Sequence, residues 1–239
     1  MISIVIAAYN EAQRIEKTLV KIKAYLDARN FVYEIIVVDD GSTDNTRQVA
    51  IGYQPEIINL NVIGYADNKG KGYALRQGVL ASKGESVLVS DADLSTPIEE
   101  LSSMLPLITT HAYDVVIGSR GLNPETIIKK QPWWRQGMGK IFNRMVRLLV
   151  LEGFKDTQCG FKLFSGETAR TLFKNARVNR FAYDVEILAL ARKSRYRVIE
   201  VPVKWLNSPA SKVHPVFDSL QMLFDLVKIR LRIGKEKNK

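Results

Sequence analysis

A single cysteine, Cys159, stands in 239 residues, so no internal disulfide can staple the chain. A disulfide-built secreted scaffold is excluded and a reducing compartment is favoured. The two histidines, His111 and His214, lack the spacing of metal ligands and read as surface or loop residues. No apolar run approaches ~18 residues, which leaves no candidate for a membrane-spanning helix. Met1 to Ala8 passes straight into apolar β-type sequence without a basic segment or cleavage site, so it does not read as a signal peptide. There is no internal repeat, low-complexity tract or clear linker, and one elaborated domain over residues 1–239 is expected.

What is present is ordinary globular composition, 46% hydrophobic and 25% charged, carrying an uneven charge. The net charge is +10, but residues 1–119 hold 10 basic and 15 acidic side chains, whereas residues 120–239 hold 25 and 10. An acidic first half is thus joined to a second half of net +15, which suits nucleic acid, anionic lipid or a phosphorylated substrate.

The first 120 residues alternate apolar β-branched runs with helical patterns. Strands are expected at 2–8, 33–38, 56–60, 86–90 and 114–118. Helices are expected between them, one with Ile15, Leu19, Ile22 and Leu26 on a single face and another opened by Pro97. This predicts an α/β fold with a mostly parallel, doubly wound sheet. After Arg120 an amphipathic helix is expected over 137–151. At about 100° per residue its Lys140, Arg144 and Arg147 share a stripe, with Met138, Ile141, Phe142, Met145, Val146, Leu148 and Leu149 on the other side. A strand-like segment near 157–164, helices at 166–175 and 182–194, a strand at 198–205 and a helix at 215–233 follow. Trp133 and Trp134 fit either a core or a membrane interface, and Cys159 reads as a small packing residue.

Open α/β sheets bind ligands at the carboxyl ends of their strands. Four strands here end in polar groups: Tyr9-Asn10-Glu11, Asp39-Asp40-Gly41-Ser42-Thr43-Asp44, Asp91-Ala92-Asp93 and Gly118-Ser119-Arg120. One such end reads as a helix cap or a turn, but four at one edge are difficult to dismiss in that way. In extended backbone Asp91 and Asp93 would point the same way, as hard oxygen ligands for Mg²⁺ or Mn²⁺ on a diphosphate. Asn68-Lys69-Gly70-Lys71-Gly72 could bring backbone N–H groups and a lysine to a phosphate, although it lacks the Walker pattern.

Together, Ala-Ala-Tyr-Asn-Glu at 7–11, Val-Val-Asp-Asp-Gly-Ser-Thr-Asp at 37–44, Asn-Lys-Gly-Lys-Gly at 68–72, Asp-Ala-Asp at 91–93 and Gly-Ser-Arg at 118–120 resemble the inverting family 2 glycosyltransferases of GT-A fold. Asp-Thr-Gln-Cys-Gly-Phe-Lys-Leu-Phe at 156–164, Arg-Phe-Ala-Tyr-Asp-Val-Glu at 180–186, Glu-Val-Pro-Val-Lys-Trp at 200–205 and residues 219–232 resemble the branch that transfers hexoses to polyprenyl and dolichyl phosphates. The resemblance implies a nucleotide-sugar-binding part over 1–120 and an acceptor-binding, membrane-facing part over 121–239. Ala8, Tyr9, Glu11, Asp39, Asp40, Asn68, Lys71, Asp91 and Ala92 would contact the donor. Asp91 and Asp93 would hold Mg²⁺ or Mn²⁺, with Asp93 also counted as catalytic. Ser119, Arg120 and Arg135 would grip the acceptor phosphate, a task suited to the planar donors of arginine. Asp184 occupies the place of the catalytic base in relatives that act on hydroxyls. A phosphate acceptor is largely dianionic at neutral pH and can attack without deprotonation, so Asp184 is a catalytic candidate either as general base or as a group that orients the acceptor or balances arginine charge.

The expected reaction is transfer of a hexose, glucose from UDP-glucose, to polyprenyl phosphate. GDP-mannose as donor and a soluble hydroxyl acceptor are the rivals. The family's membrane helices are missing, so the expected location is cytoplasmic and peripheral on an anionic inner membrane face, held by amphipathic segments and basic residues. The absent Gln-x-x-Arg-Trp motif argues against processive synthesis. Nucleic acid is not an expected partner, because the acidic strand ends would repel it. Strand one is followed by no Gly-rich Arg/Lys signature of a nucleotidylyltransferase.

Overall fold

The computed structural model describes residues 1–123, 127–129, 133–206 and 217–234. The chain opens with β1 (Ile2–Ala8), α1 (Ala12–Asp27), β2 (Tyr33–Asp39), α2 (Thr46–Gly52), β3 (Leu60–Gly64), α3 (Lys71–Ala81) and β4 (Ser86–Asp91). A 3-10 turn at Ile98–Glu100 leads into α4 (Leu101–Thr109), then β5 (Val115–Ser119), β6 (Ile127–Lys129) and α5 (Trp133–Leu149). The rest comprises β7 (Lys162–Ser165), α6 (Gly166–Asn175), α7 (Tyr183–Lys193), β8 (Val198–Pro202), β9 (Trp205–Leu206) and α8 (Phe217–Ile233).

Seven strands form one sheet in the order β3-β2-β1-β4-β7-β5-β8, and β6 pairs with β9 apart from it. All pairings in the large sheet are parallel except those of β7, which runs antiparallel to both β4 and β5. The expectation of a mostly parallel sheet holds, and β7 is the exception. Period-two alternation splits the strand residues between two apolar layers. Val5, Ile36, Val38, Val87, Val89 and Val115 pack under α3, α5, α6, α7 and α8. Ile4, Ile6, Ile35, Val37, Leu88 and Val116 pack under α1, α2 and α4. Ile15, Leu19, Ile22 and Leu26 of α1 are buried as their spacing predicts.

Three strand boundaries differ from expectation. Of the segment 157–164 only Lys162 onward is strand, as β7 (Lys162–Ser165). The third strand is Leu60–Gly64, not 56–60. Residues 56–59 lie in turns that bury Ile57 and leave Ile58 in solvent, and the ladder to β2 begins only at Leu60. The segment 198–205 breaks into β8 and β9 at Pro202, which has no N–H for a ladder.

Register positions the functional edge. Ala8 pairs with Asp39 of β2 on one side, and Ala7 pairs with Asp91 of β4 on the other. The carboxyl ends of β1, β2 and β4 therefore finish level, where the strand order reverses, the point at which open α/β sheets bind ligands.

Candidate active site

The loops after β1 and β2 are laced together by short polar side chains. The Asn10 N–H donates to Ser42 Oγ at 2.9 Å, the Thr43 N–H donates to Asn10 Oδ1 at 2.8 Å, and the Glu11 N–H donates to Thr46 Oγ1 at 2.7 Å. Tyr9 is half-buried at this edge and Ala8 is buried beneath it. Asp39 and Asp40, adjacent and both buried, differ in their partners. Asp40 accepts from the Tyr65 hydroxyl at 2.7 Å, Asn68 Nδ2 at 2.9 Å, the Lys69 N–H at 2.9 Å and the Gly70 N–H at 2.9 Å. The Oδ1 atom of Asp39 is buried without a hydrogen-bond partner.

The glycine-rich loop consequently has a role other than the one its sequence predicts. The N–H groups of Lys69 and Gly70, expected to cradle a phosphate, are turned onto the Asp40 carboxylate, which is the anion this loop holds. Gly70 has φ +101, and a Cβ there would stand 2.5 Å from Asn179 O. The loop is thus clamped between the β2 end and the segment before α7.

Asp91 and Asp93 are presented by a different route from that predicted. The extended backbone stops at Asp91 and turns, with the Leu94 N–H donating to Asp91 O at 3.2 Å and the Ser95 N–H donating to Asp93 Oδ1 at 3.0 Å. An Asx-type turn, not strand alternation, therefore presents the two carboxylates. Ala92 is buried between them, and its carbonyl accepts from Thr18 Oγ1 at 2.6 Å. Each carboxylate meets a cation of the chain itself. Lys71, from the first turn of α3, pairs with Asp91 Oδ1. Arg14 Nη1 lies 3.7 Å from Asp93 Oδ2 while its Nε donates to Glu11 at 2.5 Å. Burial opposes the charge of Lys71, but Asp91, Asp184 and Asp93 outweigh it and hold its pKa above the ordinary value. Burial likewise pushes Asp91 up, yet Lys71, Lys162 and Arg120 bring it below the usual carboxylate range.

The other side of the edge is built by β7. Because this strand is antiparallel, its first residue, not its last, lies at the carboxyl end of its neighbours: Lys162 pairs with Val89 of β4 and Ile117 of β5. Its ammonium, buried to 1% exposure, is bound by Asp184 and by the carbonyl of Cys159. Burial raises the pKa of Asp184, and Lys162 and Lys71 oppose that shift only in part. Gly160 lies against Asp91, where a Cβ would come within 2.1 Å of Oδ2. Any side chain there would displace the carboxylate. Arg120 forms a two-pronged pair with Asp156, Nε to Oδ2 at 2.6 Å and Nη2 to Oδ1 at 2.8 Å, and its guanidinium lies 5.5 Å from the Trp205 ring centre. Burial pushes the Asp156 carboxyl up, but Arg120 outweighs it and holds the group down at about 2.

The edge thus brings together Glu11, Asp39, Asp40, Asn68, Lys71, Asp91, Asp93, Arg120 and Asp184 through the contacts above. Ser119 is fully buried at the end of β5, with its hydroxyl unpartnered. The side chains of Trp133, Trp134 and Arg135 in α5, and His214, lie outside the described residues. Cys159 is a buried packing residue whose thiol burial pushes up. Sequence reading did not assign roles to Lys162, Asp156, Gly160 and Arg14. One signal was legible: a lysine between Phe161 and Leu163 must find a partner when buried.

Among the described residues no three or more His, Cys, Asp or Glu side chains gather as a metal cage. Asp91 and Asp93 nevertheless fit a divalent cation. They are hard oxygen donors and partly exposed, each now held by a cation of the chain that a metal would have to replace, and one or two carboxylates are what Mg²⁺ uses when phosphates complete its shell. No helix among the described residues is long and apolar enough to cross a membrane.

Residues 3–173 match the profile of glycosyl transferase family 2. The dolichyl-phosphate beta-glucosyltransferase of Dictyostelium discoideum is 37% identical, covering 97% of this chain and 74% of that protein. The enzyme of the same name from Homo sapiens is also 37% identical, over 97% of this chain and 75% of its own. Among solved structures, glucosyl-3-phosphoglycerate synthase from Mycobacterium tuberculosis in complex with Mn²⁺, UDP-glucose and phosphoglyceric acid superposes with a TM-score of 0.69. It is 21% identical and covers 100% of this chain and 81% of that one. Mannosyl-3-phosphoglycerate synthase from Rubrobacter xylanophilus gives a TM-score of 0.71 at 20% identity, over 97% and 73%. The match over residues 3–173 and the 37% identity across 97% of the chain carry the conclusion that the chain belongs to glycosyl transferase family 2.

Proposed function

We propose that the protein transfers glucose from UDP-glucose to a polyprenyl phosphate such as dolichyl phosphate, with inversion at the anomeric carbon. The observation that carries this reading is the extent of the likeness. At 37% identity it spans 97% of the chain, and so takes in the Asp156, Lys162 and Asp184 side as well as the strand ends. The donor would lie over the β1, β2 and β4 ends, where the unpartnered Asp39 oxygen can accept an N–H or hydroxyl. Tyr9, Glu11, Asn68, Lys71 and Ala92 would border that space. Asp91 and Asp93 would hold Mg²⁺ or Mn²⁺, which when bound supplies a Lewis acid for the charge on the departing diphosphate. Arg120, fixed by Asp156, and Arg135 would meet the acceptor phosphate.

A phosphate oxygen attacks the anomeric carbon, the bond from that carbon to the UDP oxygen breaks, and UDP leaves with the electron pair. No proton moves. This agrees with Asp184 being held by Lys162. Its task is to keep Lys162 and the adjoining segment in place. A membrane-lipid acceptor implies peripheral attachment to an anionic membrane surface at its cytoplasmic face, with residues 121–239 on the acceptor side.

The test is transfer of labelled sugar from UDP-glucose or GDP-mannose to polyprenyl phosphate in detergent, with and without Mn²⁺. Metal-dependent transfer from UDP-glucose is expected. Preference for GDP-mannose overturns the donor, and transfer only to a soluble hydroxyl overturns the acceptor. Asp184→Asn keeps a hydrogen-bond acceptor for Lys162, so turnover is expected within ~10-fold of wild type. A loss beyond ~100-fold would make Asp184 a general base and overturn the proton-free mechanism.

A further inference from the structure

Helix α8 has two apolar faces, of which the fold uses one. Met222, Leu226 and Ile229 are buried in the core on the α7 side. The opposite face carries Leu220, Phe224, Val227 and Leu231, spaced four, three and four residues apart, and these are 52%, 64%, 44% and 81% exposed. At about 100° per residue the four fall within roughly 60° of one another, a ridge about 16 Å long. Isolated exposed apolar side chains are ordinary, but an aligned row of four is not.

The rim of this ridge is basic. Lys228 is exposed beside it, with Arg230 and Arg232 on its two flanks. Among the described side chains of α8 the only carboxylate, Asp225, is buried. Helix α5 packs alongside, with Arg230 Nη1 donating to Leu149 O at 2.9 Å. Its Leu148 is 63% exposed, and Arg144 and Arg147 are exposed as well. Arg232 Nη1 donates to Glu186 Oε1 at 2.5 Å, fastening α8 to the first turn of α7, where Asp184 stands.

We infer that the outer face of α8 lies in the plane of an anionic bilayer, with Phe224 and Leu231 among the acyl chains and the basic rim at the headgroups. Apolar side chains on one face with lysine and arginine beside them are what an in-plane interfacial helix requires, and each basic residue near an anionic leaflet adds attraction. The charge decides against a second copy as occupant, because a twofold contact through this ridge would set Lys228, Arg230 and the exposed Arg144 and Arg147 of α5 against their own like. The inference rests on the reading that the acceptor is a lipid phosphate, since such an acceptor lies in the membrane on which α8 would dock.

The full chain is floated with vesicles of phosphatidylcholine alone or mixed with phosphatidylglycerol. Binding is expected to the anionic vesicles and to weaken as salt rises. Phe224→Glu with Leu231→Glu is expected to lower the bound fraction at least about tenfold. Because both side chains are exposed, the melting temperature and transfer to a water-soluble short-chain polyprenyl phosphate should stay at wild-type levels. Wild-type protein that does not float, or a variant that floats equally well, overturns the inference, as does a wild-type dimer that the variant splits. Flotation without transfer to either acceptor supports the membrane face and overturns the acceptor reading instead.

Discussion

The β1, β2 and β4 ends and the β5–β7 side of the same edge are both crowded with charge, and they balance it differently. On the first side, the Asp40 carboxylate at the β2 end is held by neutral groups, while Glu11, Asp91 and Asp93 share two cations, Arg14 and Lys71. Asp40 is bound by a tyrosine, an asparagine and two backbone N–H groups, and Asp39 keeps one oxygen unpartnered. On the second, opposite charges are matched within the protein: Arg120 with Asp156, Lys162 with Asp184, Arg232 with Glu186. Glu11, Asp39, Asp40, Asp91 and Asp93 outnumber Arg14 and Lys71 there, so the first side stays acidic and suits a further cation. Internal pairing cancels charge, so the second side is mainly scaffold, and the surplus basic residues go to the surface of α5 and α8.

The largest effect expected from breaking this contrast is at Asp91. Asp91→Asn should lower transfer by roughly 100-fold or more, the scale for losing one group that stabilises developing charge. Because Asp91 and Lys71 are only half-buried, the melting temperature should barely change. A variant that melts early and transfers normally would reverse the assignment. The opposite signature is expected at Lys162. Lys162→Met leaves the Asp184 carboxylate buried and unpaired, so urea unfolding should show a loss of about 3–5 kcal/mol. An unchanged midpoint would show that the pair is not structural.

The predictions on Asp40 and Asp156 are smaller. Asp40→Ala removes the acceptor for four donors and should lose about 3 kcal/mol while weakening UDP binding by calorimetry. Full UDP affinity would show that the 65–70 loop holds its shape without its anion. Asp156, with its carboxyl held at about 2, contributes stability that is complete above the ordinary carboxylate pKa and is lost as pH falls through that value. Relative to Asp156→Asn, wild type should be more stable by on the order of 2 kcal/mol at pH 7. That gap should close between about pH 4 and pH 2, and a gap independent of pH would sink the argument.

Much of this contrast was legible in residue order, and the illegible part has a physical cause. Strands and helices repeat at 2 and 3.6 residues, so the alternation through residue 119 and the one-faced pattern of α1 could be read directly. The acidic strand ends followed, because a parallel sheet brings its carboxyl ends to one edge. The third strand was misplaced because Ile57, Ile58 and Leu60 look β-like, whereas β2 sets where the ladder starts. The Asn68–Gly72 loop suggested an anion cradle, but a sequence does not say which anion: here it is the chain's own Asp40. The partnership of Lys162 with Asp184 spans 22 residues and depends on the direction of one strand.

The sequence by itself determined the alternating α/β architecture, the family and the division into an acidic first half and a basic second half, because these depend on local periodicity, short motifs and residue counts. Only the tertiary structure decided which charges are spent on each other and which remain for a ligand. That choice is set by the antiparallel insertion of β7, which turns Lys162 rather than Ser165 toward Asp184, and by the register that levels Asp39 with Asp91. It also decided which apolar face of α8 is buried in the core and which faces outward, since residues of both faces are equally apolar in the chain.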